Sequence, residues 1–176
     1  MQIKGLSIEE FAIKICDYLI RNNFEVVLSG GACVSIYTDN KYKSYDLDFV
    51  LVSSGNQKKL KELLISIGFV ERGRYFIHED TDFFLDFVSP PPSVGSEPIK
   101  EISEIRKGNC ILKLLSPTDC VKDRLAAFYH WNDRQALNQA ILVCKDCEVD
   151  LEEVKRWSKN EEMLVKFEKF LEELSA

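Results

Sequence analysis

The stretch SYDLDFVLV, residues 44–52, sets two aspartates one residue apart at the head of an otherwise apolar run. Its β-branched and aromatic residues, Phe49, Val50 and Val52, fit a strand, in which successive side chains point to opposite faces. Asp46 and Asp48 then share one face, and Leu47 and Phe49 the other. Two like charges side by side next to a core are unfavourable unless something cationic joins them. The stretch therefore asks for a cation.

Reading outward, FEVVLS (24–29) is a short β-rich run ending in Gly30 and Gly31, after which ACVSIYT resumes apolar content. This predicts strand, tight turn, helix. Upstream, SIEEFAIKICDYLIRN (7–22) begins with a serine and carries a glutamate three positions later, then repeats Ile8, Phe11, Ile15 and Leu19 along one face. That is a capped amphipathic helix. Downstream, GNQKKLKELLISIG (55–68) predicts a helix closed by Gly68, FVERGRYFIHE (69–79) a hairpin turning near Arg72 and Gly73, and TDFFLDFVS (81–89) a strand.

The prolines of PPPSVGSEP (90–98) supply no backbone donor, so that segment is expected to be a loop. Two more strands are expected in 99–115, around Lys107 and Gly108. Beyond Ser116–Thr118 the pattern changes to four helical segments, with Thr118 as cap and Asp119 in the first turn of the first of them. The class is α+β: a mixed sheet flanked by helices over 1–116, followed by a C-terminal helical part over 117–176, packed as one globular unit.

The chain has 176 residues, 45% of them hydrophobic, enough for one well-packed domain. Its net charge is -6, and residues 148–176 carry nine acids against five bases, so most of the acidity is C-terminal. This argues against a broad basic footprint for duplex DNA and leaves room for a local basic groove. The opening MQIKGLSIEE has no signal-peptide core and no long apolar run occurs, so a cytoplasmic protein without a membrane segment is expected. Six cysteines lie inside apolar segments, and the CxxC of Cys144 and Cys147 has neither a second pair nor a suitable histidine, so structural thiols are expected.

The chemistry concentrates in three places: L-S-G-G at the end of one strand, Asp46 and Asp48 on the next, and Asp86, in LDF, on a third. If these strands neighbour one another, three carboxylates converge beside the glycine pair, a hard oxygen site suited to Mg2+. Glycines at a helix start let backbone N–H groups approach a polyphosphate closely. Metal and phosphate would meet in one place.

Through SGGACVSIYTDNKYKSYDLDFV and FFLDFV the sequence resembles the nucleotidyltransferases of the DNA polymerase β superfamily. LSPTDCVKDRLAAFYHWNDRQALNQAILVC is similar to the helical part of small bacterial and archaeal members, including those like abortive-infection toxins. The resemblance covers residues 24 to about 146. It implies that Asp46 and Asp48 hold Mg2+, or Mn2+, on the triphosphate, and that Asp86 completes a second metal site and helps deprotonate the acceptor hydroxyl. Two such ions roughly 3.5–4 Å apart stabilise both oxygens of an in-line displacement. It also implies that Ser29, Gly30, Gly31 and Ser35, with Lys122 and Arg124 from the helical part, contact an NTP. The product would be a nucleotidylated acceptor, an RNA end, a protein hydroxyl or a small molecule, with pyrophosphate.

Blander readings stand beside these. Acids near strand ends are often solvated, and Lys122 and Arg124 fit a solvated helix face. Lys41, Tyr42 and Lys43 precede the acids and fit an ordinary charged loop. A catalytically inactive interaction protein of the same fold, such as a toxin-antitoxin component, would use its C-terminal helices to hold a protein partner. The face carrying Leu164, Phe167, Phe170, Leu171 and Leu174 suits either packing or docking.

Overall fold

The computed structural model describes all residues 1–176. The first helix, α1 (Ile8–Arg21), starts as its sequence dictates: the Ser7 hydroxyl accepts from the Glu10 N–H while the Glu10 carboxylate accepts from the Ser7 N–H, a complete capping box. Strand β1 (Val26–Ser29) runs directly into helix α2 (Gly30–Tyr37), and β2 (Asp46–Leu51) follows. Helix α3 (Gln57–Ser66), the hairpin β3 (Val70–Arg72) and β4 (Tyr75–Ile77), and β5 (Phe84–Val88) complete the central region. Then come β6 (Ser93–Val94), β7 (Glu97–Pro98), β8 (Ile102–Lys107) and β9 (Cys110–Leu115). The chain ends in α4 (Pro117–Trp131), α5 (Arg134–Asp146), α6 (Leu151–Asn160) and α7 (Leu164–Ser175).

Seven strands form one mixed sheet in the order β3-β4-β5-β2-β1-β9-β8. The inner strand β2 runs antiparallel to β1 and parallel to β5, in a register that sets Ser29 beside Asp48 and Asp48 beside Asp86. Leu47, Phe49 and Leu85 are fully buried, whereas Asp46 and Asp48 keep partial access to solvent. The alternation read from the sequence therefore places apolar residues in the core and acids at the site.

Two expectations are corrected. Residues 90–98 contain a second, two-stranded sheet, with Ser93 opposite Pro98 and Val94 opposite Glu97. What organises it is tertiary: Val94 is buried and its carbonyl accepts from Trp157 Nε1 at 3.2 Å. The cap of α4 is Ser116, whose hydroxyl accepts from the Asp119 N–H at 3.1 Å, with Pro117 in the first turn where no N–H is needed. Thr118 instead accepts from the Asp150 N–H at 3.0 Å, joining α4 to the start of α6.

One hydrophobic cluster runs from Ile3 through the sheet to Phe170. Helix α7 contributes Phe167 and Phe170 to it, both buried, and Lys166 Nζ donates to the Phe128 carbonyl at 3.2 Å, closing the last turn of α4. That face of α7 is used in packing. Phe170→Ala is expected to cost about 3–5 kcal/mol in urea denaturation. A loss below about 1 kcal/mol would mark α7 as loosely held and open to a partner. No helix is long and apolar enough to cross a membrane, and all six cysteines are free.

Candidate active site

The junction of β1, α2 and β2 explains why glycine follows Ser29. Gly30 has φ of +69°, the left-handed region in which a side chain is strained. A Cβ there would overlap Asp48 Oδ2 and lie 3.2 Å from Asp48 Cγ. The Asp48 carboxylate thus lies against the bare Cα at the mouth of α2. Ser29 adds a brace, its hydroxyl donating to the Asp48 carbonyl at 3.2 Å.

Gly31 is placed differently, since its Cβ would meet Tyr42 Cε1 at 3.2 Å and Ser44 Oγ at 3.3 Å. It admits the loop that leads into β2. Ser35 is fully buried and serves the same loop, accepting from the Ser44 N–H at 2.8 Å and donating to the Gly31 carbonyl at 3.3 Å. Its hydroxyl is committed to backbone, so its part in the site is to hold the approach to Asp46.

Asp46, Asp48 and Asp86 act on one another electrostatically. Burial first, then the charges of Asp46 and Asp86, push Asp48 up to about 7, against a smaller opposing effect of Arg124. Burial and the Asp86 charge also raise Asp46, with Arg74 opposing. Asp46 Oδ1 is buried without any hydrogen-bond partner. A buried carboxylate oxygen without a donor, beside two more acids, is the environment in which a hard cation is favourable.

No three His, Cys, Asp or Glu side chains are gathered as a preformed metal cage. Asp86 is 5% exposed, and its Oδ2 accepts from Arg74 Nη2. The donor set suits Mg2+ or Mn2+ on Asp46 and Asp48, with Asp86 held by a protein cation.

The two basic residues expected from α4 part company. Arg124 is near enough for its charge to act on Asp48, and its guanidinium is fixed by Asp123, with Nε donating at 3.0 Å, and by Gln139 Oε1 at 3.3 Å. Lys122, two positions earlier on the helix, is 3% exposed and donates to Asp119 at 3.1 Å and to Glu153 at 2.8 Å. It is not brought to the carboxylates by these contacts; it ties α4 to α6. Lys122→Ala, which leaves the buried Asp119 without its cation while Glu153 keeps Lys100 and Arg156, is expected to cost about 3–5 kcal/mol in chemical denaturation while NTP affinity of the folded protein stays within about twofold. A stable variant that no longer binds NTP would return Lys122 to the substrate.

Arg74 and Gln139 escaped the sequence reading. Arg74 reaches Asp86 only because the β4–β5 register sets Tyr75 opposite Asp86, and Gln139 meets Arg124 only because α4 and α5 pack together. Neither carries a local motif.

No protein-family model matches the chain, and no curated protein matches it by sequence. Its structure does resemble solved ones. A crystal structure of an antigenic nucleotidyltransferase-like protein from Paracoccidioides brasiliensis matches with TM-score 0.61 and 14% identity over 80% of this chain and 77% of that one. The antibiotic-resistance factor ANT(2'')-Ia matches in solution with TM-score 0.51 and 15% identity over 96% and 93% of the two chains. Its crystal structure in complex with adenylyl-2''-tobramycin matches with TM-score 0.52 and 15% identity over 92% and 97%. The chain has a nucleotidyltransferase fold.

Proposed function

We propose that this chain transfers a nucleotidyl group from an NTP to a hydroxyl acceptor, with Mg2+ or Mn2+ as its metal. The observation that carries the reading is the line of Asp46, Asp48 and Asp86 on adjacent strands at the mouth of α2, with Asp46 Oδ1 buried and unpartnered. The fold supports it, because ANT(2'')-Ia is seen with adenylyl-2''-tobramycin, a nucleotide joined to an acceptor.

In this reading Asp46 and Asp48, joined by Asp86, would hold the metal, which when bound would neutralise the triphosphate and favour the departure of pyrophosphate. Ser29 and Gly30 open the first turn of α2, where backbone N–H groups and the helix dipole receive phosphate oxygens. Gly31 and Ser35 keep the loop before β2 clear of that approach. Arg124, held rigid by Asp123 and Gln139, supplies positive charge beside the reacting phosphate. Asp86 takes the proton from the acceptor hydroxyl as its oxygen attacks the α-phosphorus. The net charge of -6 favours a small molecule, a protein hydroxyl or a single RNA end over duplex nucleic acid.

The test is direct: purified protein is incubated with each labelled NTP, Mg2+ or Mn2+, and RNA, protein or small-molecule acceptors. Label transfer with release of pyrophosphate is expected. Metal binding without transfer of any NTP to any acceptor class would favour an inactive interaction protein of the same fold, including a toxin-antitoxin component.

A further inference from the structure

Arg74 occupies the two-residue turn between β3 and β4, after Gly73, whose φ of +63° lets the chain reverse. The pairing of Tyr75 with Asp86 brings this turn over the third carboxylate, and Arg74 Nη2 donates to Asp86 Oδ2. The two ends of the pair are unlike: the Asp86 side chain is 6% exposed and that of Arg74 is 66% exposed. The guanidinium thus reaches in from solvent onto a buried acid. It also lies over the ring of Tyr75, the first residue of β4, at 5.1 Å from the ring centre, and from this exposed position it can withdraw without unpacking the core.

The charge in the site does not close. Arg74 brings one positive charge to three interacting carboxylates, its field reaching Asp46 as well as Asp86, and Arg124, whose charge reaches Asp48, is already paired with Asp123, yet Asp46 Oδ1 is left with no partner. A divalent ion would bring twice the charge and fill that vacant acceptor. We propose that Arg74 is a stand-in cation, holding Asp86 in the metal-free protein and exchanged off it when a divalent ion enters. The inference rests on the metal reading of the site proposed above. It makes Arg74 a positioning residue that keeps three acids on adjacent strands compatible with folding and sets a threshold for metal entry. An exposed arginine pairing a buried acid suits this exchange, because the guanidinium regains full hydration when it leaves whereas the acid needs a replacement cation.

Mn2+ binding to the full chain, measured by electron paramagnetic resonance titration in the absence of nucleotide, tests the exchange. Arg74→Gln is expected to tighten Mn2+ binding about tenfold, since the ion no longer competes with a resident charge. Arg72→Gln, which makes the same charge change on the exposed strand β3, should alter it less than about twofold. In EDTA, Arg74→Gln should melt below wild type, and saturating Mn2+ should close that gap. Equal or weaker Mn2+ binding in Arg74→Gln, or equal tightening in Arg72→Gln, would overturn the exchange while leaving the metal site standing. No Mn2+ binding in either wild type or Arg74→Gln would overturn both it and the metal reading.

Discussion

Asp48→Asn is expected to remove stabilisation by Mg2+ and nucleotidyl transfer together, while making the metal-free protein more stable near neutral pH. The physical argument is one of sign. Burial and two neighbouring acids push Asp48 up to about 7 from its usual 3.8, so the fold prefers the neutral carboxyl. Its contribution to stability is complete below about pH 3.8 and is lost as the pH rises towards 7. Asparagine stays neutral throughout, so the variant gains on wild type over that window. The full displacement would correspond to roughly 4 kcal/mol, and partial solvent access lowers the expected gain at pH 7 to about 1–3 kcal/mol.

Divalent metal has the opposite consequence for the two proteins. Wild type should gain stability with ion concentration by mass action on the native state, increasingly so as the pH rises and the proton competes less. Asp48→Asn should show almost none of this gain, and its transfer rate should fall by about a thousandfold or more. Urea denaturation at pH 4.5 and 7, in EDTA and in Mg2+, beside the labelling assay, measures every part. A variant less stable than wild type at both pH values, still stabilised by metal, would show that the carboxylate serves as a hydrogen-bond acceptor for the fold. Asp46→Asn should follow the same direction, since burial and Asp86 raise that group too.

Gly30→Ala should be the most damaging small substitution at the site. The new methyl group would overlap Asp48 Oδ2 at a residue whose φ is +69°. Left-handed backbone costs a residue with a Cβ about 1–2 kcal/mol, and overlap with a carboxylate packed beside β1 adds about 1–3 kcal/mol more. A loss of about 2–5 kcal/mol is expected, and because Asp48 must move, metal affinity and NTP binding should fall with it. Gly31→Ala is the contrast. Its methyl would meet Tyr42 and Ser44 side chains at 3.2 and 3.3 Å, which can yield slightly, so a cost under about 1 kcal/mol is expected. Calorimetric titration with a non-hydrolysable NTP separates the roles. If Gly31→Ala abolished NTP binding while stability held, Gly31 rather than Gly30 would be the point where phosphate approaches the backbone.

Much of the architecture follows from local pattern. The period-two alternation of DLDFVL assigns opposite faces to Asp46 and Leu47 whatever the partner strands are. Ser7 and Glu10 cap α1 within four residues of chain, and the turn at Gly73 lies inside the hairpin it makes. Such features are carried by residues close in sequence, so the sequence by itself determined the order of the helices and of the seven strands of the main sheet, the pairing of Asp46 with Asp48 on one face, and Asp86 as the third acid worth attention.

The tertiary structure decided what depends on register and on packing between distant segments. Parallel pairing of β2 with β5 sets Asp48 beside Asp86, thirty-eight positions apart, and pairing of β4 with β5 hangs Arg74 over it. The small hairpin in 90–98 exists because Trp157 anchors Val94 from a helix far along the chain. Likewise, Lys122 and Arg124 look alike on the sequence of α4, yet α6 buries one among Asp119 and Glu153 while α5 fixes the other near enough for its charge to act on Asp48. A one-residue shift in a strand register, or a turn of a helix by one position, would exchange these neighbours without altering any local propensity. That is why the carboxylates could be read from the chain, but the cation already resting on one of them could not.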